Sequence, residues 1–215
     1  MSSVVLSGDS SGTITLAAPA VAGSNTITLP AQTGTSAVLS SAISAVGQIP
    51  FSTDGSTLTP TAKIVSGTVQ ATTSGTSITF TGIPSWVKRI TVMFQGVSTS
   101  GTSSYLIQIG SGSVTNTGYL GASAITGGSV AGANYTTGFG IYSTASTQIY
   151  YGQMTIVLIS GNSYVSSHAL GRSDSNYIVT GGSAVTLSGA LDRVVLTTVN
   201  GTDTFDAGSV NILYE

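Results

Sequence analysis

The chain is expected to be all-β: a jelly-roll-like antiparallel β-sandwich preceded by an extended N-terminal arm of short strands and one short helix. Three observations lead there. Val, Ile, Thr and Tyr dominate the apolar runs, which is strand composition. Those runs are short, often alternate apolar and polar residues, and are separated by Gly-, Asn- and Ser-rich turns. Charged residues make up only 6% of the 215 residues, with Gly at 28 and Cys at none. Ordinary soluble domains carry roughly 25% charge and about 7% Gly.

The composition also excludes functions. Five basic residues and a net charge of −2 are too few for the electrostatic footprint of a nucleic-acid binder. No apolar run reaches the ~18 residues of a membrane span. The start, MSSVVLSGDSSG, shows neither the basic nor the apolar region of a secretory signal. Without Cys, disulfides and Cys-based metal sites are absent. A surface this poor in charge lacks the usual electrostatic guard against self-association, so burial in an oligomer is expected.

Residues 1–47 read as an attachment or shaft arm. Gly12-Thr-Ile-Thr-Leu16 is echoed by Asn25-Thr-Ile-Thr-Leu29, and a Pro follows each. Strands this short gain stability by stacking on neighbours or other chains. In 36–47, Leu39, Ala42, Ile43 and Val46 fall on one helical face. Ser36 stands at the start and Gly47 at the end as caps. Ten or so residues make a marginal helix, so Leu39, Ile43 and Val46 are the candidate trimer contacts. Residues 48–62 read as a linker with one small hairpin around Asp54-Gly55.

From 63 to 215 a single β domain is expected, with strands at 63–71, 76–81, 86–97, 104–110, 137–143, 148–159, 163–170, 185–187, 192–199 and 209–214. In the 86–97 strand, Ile90, Val92 and Phe94 alternate with polar neighbours, and Trp86 is the expected core anchor. Met154 to Ile159 is apolar on both parities, as in a strand buried on both faces. Val210, Ile212 and Tyr214 alternate, so the chain is expected to end inside the sheet. The stretch 111–136 is long and Gly-rich and reads as a loop; 111–142 and 171–183 are the first places to look for a binding surface.

The phrase GTITLAAPAVAGSNTITLPAQTGT (12–35) resembles N-terminal modules of fibre-like virion proteins of tailed bacteriophages. FTGIPSWVKRITVMFQGVSTSGT (80–102) and ALDRVVLTTVNGTDTFDAGSVNILYE (190–215) are similar to a C-terminal domain of tail-fibre and adhesin proteins. The resemblance covers 8–35 and most of 80–215. It implies a non-enzymatic virion surface protein, typically a homotrimer, joined to other virion proteins through residues 1–47. Because the module begins almost at Met1, a short fibre contacting the host surface is expected, or a head decoration protein or head fibre bound to the capsid.

Chemistry offers little competition. His168 is the only His and is expected at the surface or an interface. A Ser-His-Asp triad could use only it, and one His per chain does not make a His-based metal site. Asp203 and Asp206, with Asp192 nearby, are the only carboxylates spaced for glycoside hydrolysis; their ordinary reading is turn chemistry. A surface-polysaccharide depolymerase is therefore the lesser alternative. No catalytic, cofactor-binding or metal residues are expected. Lys88-Arg89 and Asp192-Arg193 are expected to pair where strands emerge. Tyr119, Tyr135 and Tyr142 lie in or beside the Gly-rich loops, and exposed tyrosines suit sugar recognition. They are the candidate contacts to a bacterial surface glycan.

Overall fold

The computed structural model describes residues 3–7, 13–17, 48–51, 59–62, 64–127 and 130–215. Among them there is no helix. The helix expected over 36–47, with Leu39, Ile43 and Val46, lies outside the described residues, as does the second Thr-Ile-Thr-Leu strand.

Two separate antiparallel pairs come first. Strand β1 (Ser3–Ser7) pairs with β2 (Thr13–Ala17), and β3 (Gln48–Phe51) pairs with β4 (Thr59–Ala62). Strand β2 carries the first Ile-Thr-Leu motif, and β3 and β4 flank the Asp54-Gly55 turn signal.

Fourteen strands follow in the described chain from residue 64. They are β5 (Val65–Ser66), β6 (Gln70–Ala71), β7 (Ile78–Thr81), β8 (Arg89–Thr99), β9 (Tyr105–Ser111), β10 (Ser113–Val114) and β11 (Leu120–Thr126). Then come β12 (Ala131–Tyr135), β13 (Phe139–Ile141), β14 (Tyr150–Ser160), β15 (Ser163–Arg172), β16 (Ile178–Thr186), β17 (Arg193–Thr198) and β18 (Phe205–Tyr214). They form two sheets. The larger has nine strands in the order β12-β11-β16-β15-β14-β8-β18-β5, with β6 also on β18. The smaller has five, in the order β10-β9-β17-β7, with β13 also on β9. Every pairing is antiparallel.

The architecture is sandwich-like because each sheet turns one parity inward. In the large sheet, Val92 lies opposite Ile212 on one side and Met154 on the other. The small sheet supplies Ile78 and Phe80, Ile107 and Ile109, and Val194 and Leu196. All of these side chains belong to one buried cluster. Fully burying such an aliphatic side chain contributes about 1.5–3 kcal/mol.

The strand carrying Ile90, Val92 and Phe94 is the centre of this packing, but it begins at Arg89 and not at Trp86. Trp86 sits in the preceding turn and is half-buried, its ring tilted against Tyr214 at 6.1 Å. The turn closes when Val87 N–H donates to the Pro84 carbonyl. The residues just after Pro84 are thus spent on a turn, and Trp86 covers the rim of the core.

Strand β14 also departs from expectation. Met154 and Ile156 are buried, but Val157 is 36% and Ile159 65% exposed. One face of this strand is covered, and among the described residues nothing covers the other.

Two glycines bend the sheet where β8 and β18 slip register. Gly96 and Gly208 have φ of +68° and +88°, a region that L side chains avoid. A Cβ on Gly208 would stand 2.3 Å from the Gly96 carbonyl oxygen. Glycine bulges of this kind are a regular means of curving a sheet.

Candidate contact surface at the loop end

The strand directions give the sandwich two distinct ends. Val65 lies opposite Tyr214, and Lys88 and Arg89 N–H groups donate to the Glu215 carbonyl. Chain entry, chain exit, the 82–88 turn, the 160–162 hairpin and the 187–192 connection therefore share one end. The opposite end carries the connections 72–77, 100–104, 142–149, 173–177 and 199–204. These are the loops farthest along the strands from Val65, where the first strand of the domain begins.

Their side chains are tied down locally. Asp203 accepts from Ser103 N–H at 2.9 Å and from Asn200 Nδ2 at 2.6 Å. Asp206 is bonded to Ser98 Oγ, and Thr204 N–H donates to Ser100 Oγ. Loops 100–104 and 199–204 are thus laced together. In the next pair of strands, Arg172 reaches round to the Asp174 carboxylate and lies over the Tyr177 ring at 5.3 Å. The guanidinium holds the Asp174 carboxyl below its ordinary range, and the Arg172 side chain is only 6% exposed. Loop 142–149 is pinned by Gln148, whose Oε1 accepts from Ser143 Oγ and Thr144 N–H. The Tyr150 hydroxyl lies 2.7 Å from that same oxygen and 2.8 Å from the Tyr142 carbonyl, and burial pushes it up to about 12.

These contacts leave a set of short, rigid loops whose free groups are mostly backbone, Ser, Thr, Asn and Gly. Asn176, Gly201 and Thr202 are exposed there, as is Val199. Such a surface offers neutral hydrogen-bonding groups on a fixed frame, which suits weak polar recognition of hydroxyl-rich ligands.

The tyrosines expected to contact glycan are placed differently. Tyr119 is fully buried. Its hydroxyl accepts from Ile109 N–H at 2.9 Å and donates to the Ile109 carbonyl at 3.3 Å, and its ring meets Phe139 edge-on at 5.0 Å. Burial pushes its hydroxyl up to about 12. Tyr135 is also buried. Its ring occupies the space above Gly140, where a Cβ would overlap it at 2.1 Å, and its hydroxyl donates to Ser104 Oγ at 2.9 Å. Both are core residues because a neighbouring glycine or strand leaves ring-sized space inward and a backbone or hydroxyl partner for the phenol. Tyr142 is half-buried and packs against the core. The stretch 111–136 is not one loop either. It contains β10, β11 and β12, and residues 115–119 lie toward the entry end.

His168 is buried at 7% exposure, not at the surface. Its Nε2 lies 3.0 Å from Ser123 Oγ. Ser123 has one proton, directed at the Thr180 carbonyl. Its oxygen therefore accepts from Tyr142 N–H and from His168. This assigns the imidazole proton to Nε2. Among the described residues Nδ1 has no partner, whereas the base of a catalytic triad needs a carboxylate there. Burial alone lowers His168 to about 4. The room for the ring comes from Gly181, where a Cβ would meet Cε1 at 2.5 Å.

Two further ion pairs stand at strand ends, and Lys88, expected to pair beside Arg89, is in none of the ion pairs among the described residues. Arg89 pairs with Glu215, and Arg193 Nε bonds Asp192 at 2.7 Å. Among the described residues no three His, Cys, Asp or Glu come together as a metal site. A groove of about 380 Å³ runs along the open edge of the sandwich, between Thr79–Thr81 of β7 and Gln70, Ile212 and Tyr214. It carries no charged side chain, and Gln70 Nε2 spans its edges by donating to the Thr79 carbonyl.

No known protein family, curated protein or solved structure matched the chain.

Of the loop-end surface, the sequence pointed to 173–177 within 171–183; connections 72–77, 100–104 and 199–204 were passed over because their residues are ordinary turn formers. The usable signal was the pairing of residue 65 with 214, which only the topology reveals.

Proposed function

We propose that this protein is a non-enzymatic structural component of the surface of a tailed-phage virion, a short trimeric fibre that contacts the host cell surface through the loop end of its sandwich. The observation that supports this reading is the polarity of the domain: Val65, its first strand residue, lies opposite Tyr214, and the rigid neutral loops are at the other end. A glycan-rich cell surface is the ligand class that neutral Ser, Thr, Asn and backbone groups fit.

A jelly-roll wrapping is the finer fold reading. Take β7, β8, β9, β11, β12, β13, β14 and β17 as the eight wrapped strands. The first pairs with the last, which pairs with the third, which pairs with the sixth. In the other sheet the second pairs with the seventh and the fourth with the fifth. This is the strand order of a jelly roll, with hairpin β15–β16 inserted between the seventh and fourth strands and β18 added at the edge.

Electron microscopy of virions labelled with antibody to this protein tests the assignment. Label at the tail or on fibres is expected. Label over the icosahedral faces would assign it instead to the capsid as a decoration protein, and unlabelled virions would remove it from the particle.

A further inference from the structure

We infer that the outer face of the nine-stranded sheet is the surface on which copies of this chain meet; the inference rests on the assembly proposed above and names its interface. Three observations carry it. First, Met154 to Ile159 has the two-sided apolar pattern of a strand covered on both faces, yet among the described residues nothing covers Val157 and Ile159. Second, the register aligns Leu120, Ala184, Val165 and Val157 on four neighbouring strands, an unbroken aliphatic row on the outer face. Leu120 is 75% exposed. Two rows of Thr, Ser, Ala, Gly, Gln and Met separate it from exposed Tyr151 and Ile178. Third, across these rows from β18 to β11 the only charged side chain is Arg89, which stands at the rim and pairs with Glu215.

The second copy follows from the charge. Depletion of charge, more than bulk hydrophobicity, marks protein interfaces. A neutral face meets an identical face without like-charge repulsion, whereas a charged face would need a different, complementary partner. The size is sufficient. Six strands at about 4.8 Å spacing and four rows, with side chains at the rims, cover roughly 30 by 27 Å, or about 800 Å², near the area each partner gives to a standard interface.

Two measurements on the full chain test this. Light scattering is expected to give a multiple of the 21.4 kDa chain mass, with the Val157→Lys/Val165→Lys double variant assembling at least tenfold more weakly and keeping its β circular-dichroism spectrum. Because the chain has no Cys, single cysteines report contact directly. Ser167→Cys, mid-face on β15, should cross-link between copies with a bismaleimide, and Thr79→Cys, on the outer face of the small sheet, should not. If the wild type assembles but the double variant keeps its mass, or Ser167→Cys fails to cross-link, the face is rejected and the assembly stands. A monomeric wild type rejects both. Should the lysine variant fail to fold, the cysteine pair decides.

Discussion

Val65 and Tyr214 lie opposite one another in the large sheet, and the first strands of the domain are therefore sewn to its last. Strand β18 runs between β8 on one side and β5 and β6 on the other, so the C-terminal strand is paired on both sides.

Ile212, 2% exposed, sits in this strand against Val92. Replacing Ile212 with Ala should cost about 2–5 kcal/mol, the usual range for a buried large-to-small change. Urea unfolding followed by circular dichroism measures it. A loss under 1 kcal/mol would mean that β18 is not packed as described.

Gly208→Ala should be at least as damaging for its size. The added Cβ has to clear the Gly96 carbonyl from a backbone angle that L residues avoid. A loss of about 1–3 kcal/mol in the same assay is expected. An unchanged midpoint would contradict the bulge.

His168 makes stability depend on pH. Its folded-state pKa, about 4, is below the ordinary 6.5 because burial disfavours the charged ring. The unfolded chain therefore takes up the proton first as pH falls. Stability from this group is complete above about 6.5 and is lost progressively toward 4. The loss reaches about 3 kcal/mol across that window. Melting temperatures at pH 7 and pH 4.5 should differ more for wild type than for His168→Gln; equal differences would contradict a buried neutral imidazole.

Tyr119→Phe separates core from contact roles. It leaves Ile109 N–H without its phenol partner and should cost about 1–3 kcal/mol while leaving cell binding unchanged. Binding lost at full stability would return Tyr119 to the contact surface.

Much of the strand framework was legible because the β8, β9, β14 and β18 segments are rich in β-branched and aromatic residues with a clear period of two. Strands β11 and β12 were read as a loop because Gly, Ala, Ser and Asn fill them. They are small for a reason: a Cβ on Gly121 would meet Ser183 at 2.3 Å, one on Gly132 would meet the Ser123 carbonyl at 2.7 Å, and Ser123 bonds the His168 ring. Packing chose residues that propensity disfavours. Strand β16 was largely missed likewise, with Gly181 and Gly182 at its centre. The expected tyrosine site failed because a Tyr beside glycines reads equally as a loop contact or as a ring lying on a glycine. Only the depth of burial separates the two. The loop-end surface depended on strand direction, which local patterns do not carry.

The most direct measurement is competition for host adsorption. Full-length protein, added to host cells before phage, should reduce adsorption in a dose-dependent way. A variant with Asn176 and Thr202 both replaced by Lys, at the loop end, should compete poorly while melting like wild type. Wild-type protein that leaves adsorption unchanged, or a loop variant that competes equally well, would contradict an adhesin working through these loops.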